Sequence, residues 1–163
     1  MDFILNSQKQ KQEPDIEFRF GATQLTNHLW LAGEDDIPPI LPVTDTWIDF
    51  RDDKHSNLNL CIDIPTHVTY IRAPLRDGDN ERAEQLFPML LPLAEKELER
   101  ERTLTVSCHA GVSRSVLFVW FLLSSKWGVE KAWSHIKHHR PHIEIDEGFN
   151  AFIAKRITKK GGA

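Results

Sequence analysis

The sequence predicts an α/β fold in which a central, mostly parallel, twisted sheet is flanked by helices. Short apolar segments that suit strands alternate with longer segments of helical periodicity, which is typical of parallel sheets. A β-branched segment ends at Cys108, just before a loop that contains a glycine, and an apolar segment follows that loop. Because this last segment is apolar on all sides, it is expected to be a helix buried in the core. The loop therefore lies between a buried strand and a buried helix.

Four segments have the length and composition of strands. Each is rich in apolar or β-branched residues and is bounded by residues that favour turns. They are Leu29–Gly33, Asp45–Arg51, Val68–Leu75 and Thr103–Cys108. The stretch EDDIPPILPV, between the first two, is too rich in proline for a long helix. Residues 76–80 (RDGDN) are expected to form a loop after the third strand.

Four further segments are predicted to be helices. The first, Glu81–Arg102, has apolar residues at a period near 3.6, and Pro88 and Pro92 within it predict a kink or a late start. The other three are Ser113–Trp127, which ends at Gly128, Val129–His139, which ends before Arg140 and Pro141, and Asp146–Ile157. These helices supply the flanks of the predicted sheet.

Length and charge limit the possible organisation and partners. A chain of 163 residues suffices for one domain with a proper core but not for two of ordinary size. We expect a mobile lead-in over residues 1–20, a folded domain over 21–158 and a short tail over 159–163. The net charge of -4 argues against a general polyanion binder, so nucleic acid is not an expected partner.

The apolar segments also indicate where the protein resides. The longest apolar run, Val116–Leu123, is far shorter than the roughly 18 residues needed to cross a bilayer, so no membrane insertion is expected. The first fifteen residues, MDFILNSQKQKQEPD, lack the apolar region of a secretory signal. We therefore expect a cytoplasmic protein.

Cysteine and histidine could each point to a second kind of site. Cys61 is interpreted as a small buried residue, with a redox partnership to Cys108 as the alternative. Two of the four late histidines lie four residues apart on a predicted helix, which invites a zinc hypothesis, but no carboxylate or thiol completes a ligand set. A solvated helix end explains these residues better, and no metal or cofactor is predicted. The four are His135, His138, His139 and His142.

The stretch VSCHAGVSRS, Val106–Ser115, contains the residue types of an anion cradle with a nucleophile at its centre. Backbone amides of the loop and of the first helical turn would converge on one point, which favours an oxyanion. Gly111 permits a positive φ and a close approach of the ligand, and Arg114 can donate two parallel N–H groups to phosphate oxygens. Cys108, at the focus of these dipoles, is expected to be a thiolate at neutral pH, with Ser115 placed to hydrogen-bond it.

CHAGVSRS resembles the signature loop of the cysteine-dependent protein tyrosine phosphatases, and its AGxSRS form is most similar to the dual-specificity branch. The resemblance covers nearly the whole chain from about residue 24. LWLAG is similar to the opening strand of that family, YIRAPLRD to the strand before its general-acid loop, and RPHIEIDEGF to the segment before its last helix. The low-molecular-weight phosphatases carry the loop near the N-terminus, so they match less well.

The resemblance implies a reaction through a cysteinyl phosphate, in which Cys108 is the nucleophile and Arg114 holds the phosphoryl oxygens. Phosphate would also contact the backbone of the loop. Asp77 is the expected general acid, and Asp79 in the same turn is its rival. The substrate-binding residues are His109, Ala110, Gly111, Val112, Ser113 and Arg114.

The resemblance also leaves the substrate open. A phosphorylated protein, carrying phosphotyrosine and possibly phosphoserine or phosphothreonine, is the expected substrate. The alternatives are a phosphate-binding module without turnover, and a phosphatase for a small molecule, a phosphoinositide or an RNA 5′ end. The family usually has histidine before the nucleophile, where this sequence has Ser107. That departure puts the tuning of the thiol in question.

Overall fold

A computed structural model describes residues 21–52 and 63–161. Within these ranges the chain forms a five-stranded sheet in the order β1-β2-β5-β3-β4. Its strands are β1 (Thr23–Thr26), β2 (Leu29–Ala32), β3 (Thr46–Asp49), β4 (Thr69–Arg72) and β5 (Leu104–Ser107). Only β1 runs antiparallel to its neighbour, and the other pairs are parallel. The predicted mostly parallel sheet is confirmed.

Strand β1 is not among the strands predicted from the sequence. Its residues, TQLT, are largely polar, and Leu25 is the one member that is buried. A strand at the edge of a sheet needs only one apolar side chain toward the core, so its composition is weak evidence for a strand. The four predicted strands are all present, each trimmed at its ends.

Five helices flank the sheet in the described residues. They are α1 (Ile37–Ile40), α2 (Asn80–Glu99), α3 (Arg114–Trp127), α4 (Val129–His139) and α5 (Asn150–Gly161). Short 3₁₀ turns occupy Glu34–Asp36, Leu41–Val43 and Glu147–Phe149. Helix α1 is a single turn with Pro38 and Pro39 inside it, which agrees with the expectation that this stretch forms no long helix.

Helix α2 begins earlier than the prolines suggested. Asp79 caps it by accepting a hydrogen bond from the Arg82 backbone N–H at 3.0 Å. The expected late start is wrong, because both Pro88 and Pro92 lie on the exposed side of a helix that continues through them. Burial of residues such as Phe87 on the opposite side outweighs the two missing backbone donors.

The carboxyl ends of three neighbouring parallel strands meet at one edge of the sheet. Ala32 of β2 and Asp49 of β3 both pair in register with Ser107, the last residue of β5. Helix α3 then passes through the core, where Phe118 and Trp120 are fully buried. In open α/β sheets the crevice at this edge is the usual place for a ligand.

Two of the four late histidines have hydrogen-bonding contacts with the backbone. His135 Nε2 lies 2.6 Å from the Leu25 carbonyl oxygen, and His139 Nδ1 lies 2.8 Å from the His135 carbonyl oxygen. Among residues 21–52 and 63–161, no group of three or more histidine, cysteine or acidic side chains could hold a metal ion. No helix in these same ranges is long and apolar enough to cross a membrane. The expectations for residues 1–20 and for Cys61 fall outside the described residues.

Candidate active site

The signature loop connects the end of β5 to the start of α3. Cys108 is 2% exposed and lies at the strand end, where its N–H donates to the Ala32 carbonyl at 3.4 Å. Helix α3 begins at Arg114, so the first amides of a long helix point toward the loop. The Cys108 sulfur is 3.1 Å from the Ser115 hydroxyl oxygen. The structure therefore brings the predicted nucleophile and its predicted hydrogen-bond partner together.

Arg114 lies beneath the loop and is 6% exposed. Its Nη1 donates to the Leu75 carbonyl at 2.9 Å and lies 3.7 Å from a carboxylate oxygen of Asp52. Within the described residues, its Nε is buried without a hydrogen-bond partner. A buried guanidinium that is held at one end and keeps a free donor is suited to binding an oxyanion.

Asp77 is joined to the loop from the other side. The Ser113 hydroxyl donates to Asp77 Oδ1 at 2.6 Å and accepts the Asp146 backbone N–H at 2.9 Å. Burial of the carboxylate raises the pKa of Asp77, and the charge of Asp146 acts in the same direction, whereas Ser113 and Arg114 oppose the shift. A carboxyl group with a raised pKa beside an anion site is suited to proton donation.

Asp79, the rival to Asp77, is used differently. Its side chain caps helix α2 through the Arg82 backbone N–H, and a cap of this kind contributes to helix stability. A single residue, Gly78, therefore separates the carboxylate that is bonded to the signature loop from the one that is bonded to the end of α2. Of the two aspartates that the sequence offers as general acid, Asp77 is the one bonded to the signature loop.

Gly111 is the tightest point of the loop. Its φ is +68°, and a Cβ added there would lie 2.7 Å from the backbone of Ala32, from the backbone nitrogen of Gly33 and from the guanidinium of Arg140. No other residue type fits this position without displacing backbone atoms. This close packing fixes the curvature of the loop at Gly111.

Arg140 is a site residue for which the sequence analysis gave no role. It is buried, and its Nε donates to the Gly111 carbonyl at 2.8 Å while its Nη1 donates to the Gly21 carbonyl and the Thr23 hydroxyl, both at 2.8 Å. By binding the Gly111 carbonyl, Arg140 fixes the orientation of that peptide group, whose N–H points away from Arg140. The RPHIEIDEGF segment was its only signal in the sequence.

The predicted substrate-binding residues differ in exposure, and Gly111, Ser113 and Arg114 are buried. The His109 side chain is 46% exposed, and its Nδ1 lies 2.9 Å from Glu34 Oε1. Ala110 is exposed and Val112 is half-buried; the Val112 carbonyl accepts the Glu144 backbone N–H at 2.9 Å. The loop is therefore held by contacts with two neighbouring segments, through Glu34 and Glu144.

Comparisons with known proteins agree with this geometry. A family model described as "Dual specificity phosphatase, catalytic domain" matches residues 47–156, more than half of the chain. Laforin of Mus musculus is 32% identical over 97 residues, which are 58% of this chain and 29% of that protein. The tyrosine-protein phosphatase vhp-1 of Caenorhabditis elegans is 26% identical over 137 residues, 79% of this chain and 20% of that protein. This chain thus spans less than a third of the length of either relative.

Solved structures share the fold. The human tyrosine phosphatase-like serine/threonine/tyrosine-interacting protein has a TM-score of 0.70 and 19% identity, over 86% of this chain and 97% of that one. The resemblance inferred from CHAGVSRS is confirmed by the family model and by this fold. The chain belongs to the family of dual-specificity phosphatase catalytic domains.

Proposed function

We propose that this chain is a protein phosphatase that hydrolyses phosphotyrosine, and also phosphoserine or phosphothreonine, through a cysteinyl-phosphate intermediate. The observation that carries the proposal is the placement of Cys108 at the start of a loop with Ser115 at 3.1 Å and Asp77 bonded to the same loop. A nucleophile, an oxyanion cradle and a proton donor are the three parts that hydrolysis of a phosphate monoester requires.

In the first step, the Cys108 thiolate attacks phosphorus in line with the leaving oxygen. The new S–P bond forms as the P–O bond to the leaving group breaks, and protonated Asp77 transfers its proton to the departing oxygen. The loop amides and Arg114 hold the three equatorial oxygens. Catalysis comes mainly from this fixed electrostatic cradle, because the transition state mostly redistributes charge.

In the second step, water attacks the phosphorus of the cysteinyl phosphate. Asp77, now a carboxylate, takes a proton from the water as the S–P bond breaks and the thiolate is restored. Ser115 stabilises that leaving thiolate through its hydroxyl hydrogen. Phosphate then leaves, and Asp77 is protonated again for the next cycle. No residue changes its oxidation state.

The proposal includes the compartment and the domain boundaries. Cys108 is a free thiol, and a thiol nucleophile persists where disulfides do not form, so we place the protein in the cytoplasm. We take residues 21–158 as the catalytic domain, with the lead-in before it and residues 159–163 as a tail. One hydrophobic core that reaches from Leu25 of β1 to Ile157 of α5 supports the catalytic domain, and α5 continues to Gly161, into the residues proposed as the tail.

Two alternatives compete with this function. A phosphate-binding module would need the cradle and Arg114. It would not need the Ser115 hydroxyl beside the Cys108 sulfur, or a carboxyl group with a raised pKa beside the loop. A phosphatase for phosphoinositides or RNA ends would be favoured by lysine in the loop, whereas the interior residues HAGVS contain none. The first observation favours turnover over binding alone, and the second favours a phosphomonoester on a protein over a polyanionic lipid phosphate.

A panel of phosphate esters tests the proposed function. We expect turnover of an aryl phosphate and of a phosphotyrosine peptide, inhibition by orthovanadate, and lower kcat/KM for an inositol phosphate and for an RNA 5′-phosphate. Released phosphate measures each rate. Binding without turnover of any ester would support the phosphate-binding module, and highest kcat/KM on the inositol or RNA substrate would support the third hypothesis.

Two substitutions should move the alkaline side of the pH–rate profile in opposite directions. Asp77 donates only when protonated, so kcat/KM falls as pH rises through its pKa. Asp146→Asn removes a charge that raises this pKa and should shift the fall to lower pH, whereas Ser113→Ala removes a bond that favours the carboxylate and should shift it to higher pH. Shifts of roughly a few tenths of a pH unit are expected. Movement of both profiles in the same direction would contradict this assignment.

A further inference from the structure

The residue before the nucleophile is anchored from the opposite face of the sheet. Ser107 is fully buried, and its hydroxyl oxygen accepts the Trp47 indole N–H at 2.7 Å. Trp47 lies on β3, which is hydrogen-bonded to β5, and it is itself 1% exposed. Side chains alternate between the two faces along a strand, so Ser107 and Cys108 point to opposite sides of the sheet. A buried contact on one side therefore adjoins the reactive thiol on the other.

Trp47 is held by its own neighbours. Its ring centroid lies 4.5 Å from that of Tyr70, and the Arg51 guanidinium lies 5.6 Å from its centroid on the ring face. Arg51 is fully buried and donates to both carboxylate oxygens of Asp49, at 2.9 and 2.7 Å. The Tyr70 hydroxyl donates to Asp49 Oδ2 at 2.6 Å. The indole is thus fixed by a cation on one face and an aromatic ring beside it.

The phenol in this group is a stable donor. Burial raises the pKa of Tyr70 to about 12, and its hydrogen bond to Asp49 acts in the same direction. The hydroxyl of Tyr70 therefore remains protonated throughout the pH range in which a thiol phosphatase works. Tyr70 therefore keeps the hydrogen that it donates to Asp49 while the thiol titrates.

We propose that Trp47 is a positioning residue for the nucleophile, acting through Ser107. Its N–H fixes the Ser107 side chain, and the Ser107 carbonyl accepts the Phe50 N–H at 2.9 Å. Side chain and carbonyl together determine the orientation of the peptide that carries Cys108. This inference rests on the proposed function, in which the Cys108 sulfur must face the amides and Arg114.

The pair also explains how serine can stand where the family usually has histidine. With Ser107 fully buried and its oxygen 2.7 Å from the indole nitrogen, an imidazole ring at this position would overlap Trp47. Tryptophan on β3 and a small hydroxyl residue on β5 therefore form one unit. In this chain the donor that holds the loop comes from the neighbouring strand.

Other charged and polar groups surround the same thiol, and substitutions at Trp47 or Ser107 do not replace them. Arg114 is buried beneath the loop, and Arg140 is close enough that the charge of Cys108 affects its pKa, which burial lowers overall. Asp36 lies 4.0 Å from Arg140 Nη2, and Ser115 contacts the sulfur. Substitutions on the far face of the sheet leave these groups in place. A change in thiol ionisation would therefore report the position of the loop.

The test compares Trp47→Phe, Ser107→Ala and the double variant. Alkylation of Cys108 by iodoacetamide, followed by mass spectrometry of its peptide, gives the pH midpoint of thiol ionisation. We expect each single variant to raise this midpoint by about half a pH unit, a roughly threefold fall in thiolate fraction near neutral pH. The double variant should raise it no further, because both changes remove the same hydrogen bond.

Thr105→Val is the matched control. Thr105 lies on the same strand and face, two residues before Ser107, and its buried hydroxyl is 2.8 Å from that of Thr44. This variant should lower thermal stability, as the others do, and leave the midpoint of Cys108 alkylation unchanged.

An unchanged midpoint in Ser107→Ala, or additive shifts in the double variant, would overturn the proposal. Ser107→Ala removes one oxygen atom, so it provides the answer even if Trp47→Phe fails to fold. Alkylation needs no substrate turnover. Failure of the proposed phosphatase activity would therefore appear separately, as a wild-type protein with a normal alkylation profile and no hydrolysis.

Discussion

Asp77→Asn is expected to lower kcat for phenyl phosphate, which has a poor leaving group, by about 100-fold or more. The carboxyl group of Asp77 accepts the Ser113 hydroxyl at 2.6 Å, so it lies at the edge of the cradle that holds the phosphate. Burial raises the pKa of Asp77, so at any given pH more of it is protonated than an exposed aspartate would be. An amide of the same shape keeps the hydrogen bond from Ser113 but cannot donate a proton to the leaving oxygen.

The dependence on leaving group separates proton transfer from general disruption. An aryl phosphate with a good leaving group needs less protonation, so the loss in Asp77→Asn should be much smaller for p-nitrophenyl phosphate than for phenyl phosphate. Steady-state rates for the two esters measure this difference. An equal loss on both would mean that Asp77 shapes the site without donating the proton.

Asp79 supplies a matched control within the same turn. Asparagine caps helices about as well as aspartate, so Asp79→Asn should retain both the fold and the phosphatase activity. Asp79→Ala should lower the free energy of unfolding by about 1 kcal/mol through loss of the cap on α2, with little effect on kcat. A large loss of kcat in Asp79→Asn would reverse the assignment of the general acid.

Cys108→Ser is expected to reduce turnover by at least ~10³-fold at every pH. A serine hydroxyl ionises far less readily than a thiol, and the dipoles of the loop and α3 cannot compensate for that difference. The Ser115 hydroxyl lies 3.1 Å from the sulfur, and a serine hydroxyl is not a base that could activate a second hydroxyl. Because Arg114 and the amides are unchanged, binding of phosphate should persist.

Much of the fold follows from local sequence. The segment TLTVSC predicts a buried strand, and VLFVWFLL predicts a buried helix. The loop between them could therefore be located without a structure. Strand β1 could not be located in this way, because its place depends on pairing with β2 and it buries only Leu25. The two prolines of α2 predicted a kink or a late start. The late start does not occur, because burial of the apolar side of the helix outweighs the effect of the prolines.

The site divides in the same way between local and distant contacts. Cys108 and Ser115 lie at the two ends of one loop, so their contact follows from its sequence and curvature. Asp77 meets that loop across 36 positions of sequence, and the sequence made it the expected general acid with Asp79 as its rival. The capping bond that distinguishes Asp79 became visible only with the helix boundary.

The supports of the loop could not be predicted from the sequence. Arg140 reaches the Gly111 carbonyl from 29 positions away, and Trp47 reaches Ser107 from 60. Neither arginine nor tryptophan has a spacing pattern that marks such a role, and tryptophan is most simply interpreted as a core residue. Ser107 appeared to be a loss relative to the family until its partner on β3 was known. Contacts of this kind depend on strand order, which the sequence specifies only through the complete fold.

The central claim is that hydrolysis depends on the Cys108 thiol. The most direct measurement is the rate of aryl phosphate hydrolysis by the wild type and by Cys108→Ser from mildly acidic to neutral pH, with phosphate binding measured in parallel by calorimetry. We predict turnover by the wild type, a loss of at least ~10³-fold in the variant, and phosphate binding by both. A wild type that binds phosphate and hydrolyses no ester at any pH, or a variant that keeps the wild-type rate, would contradict this claim.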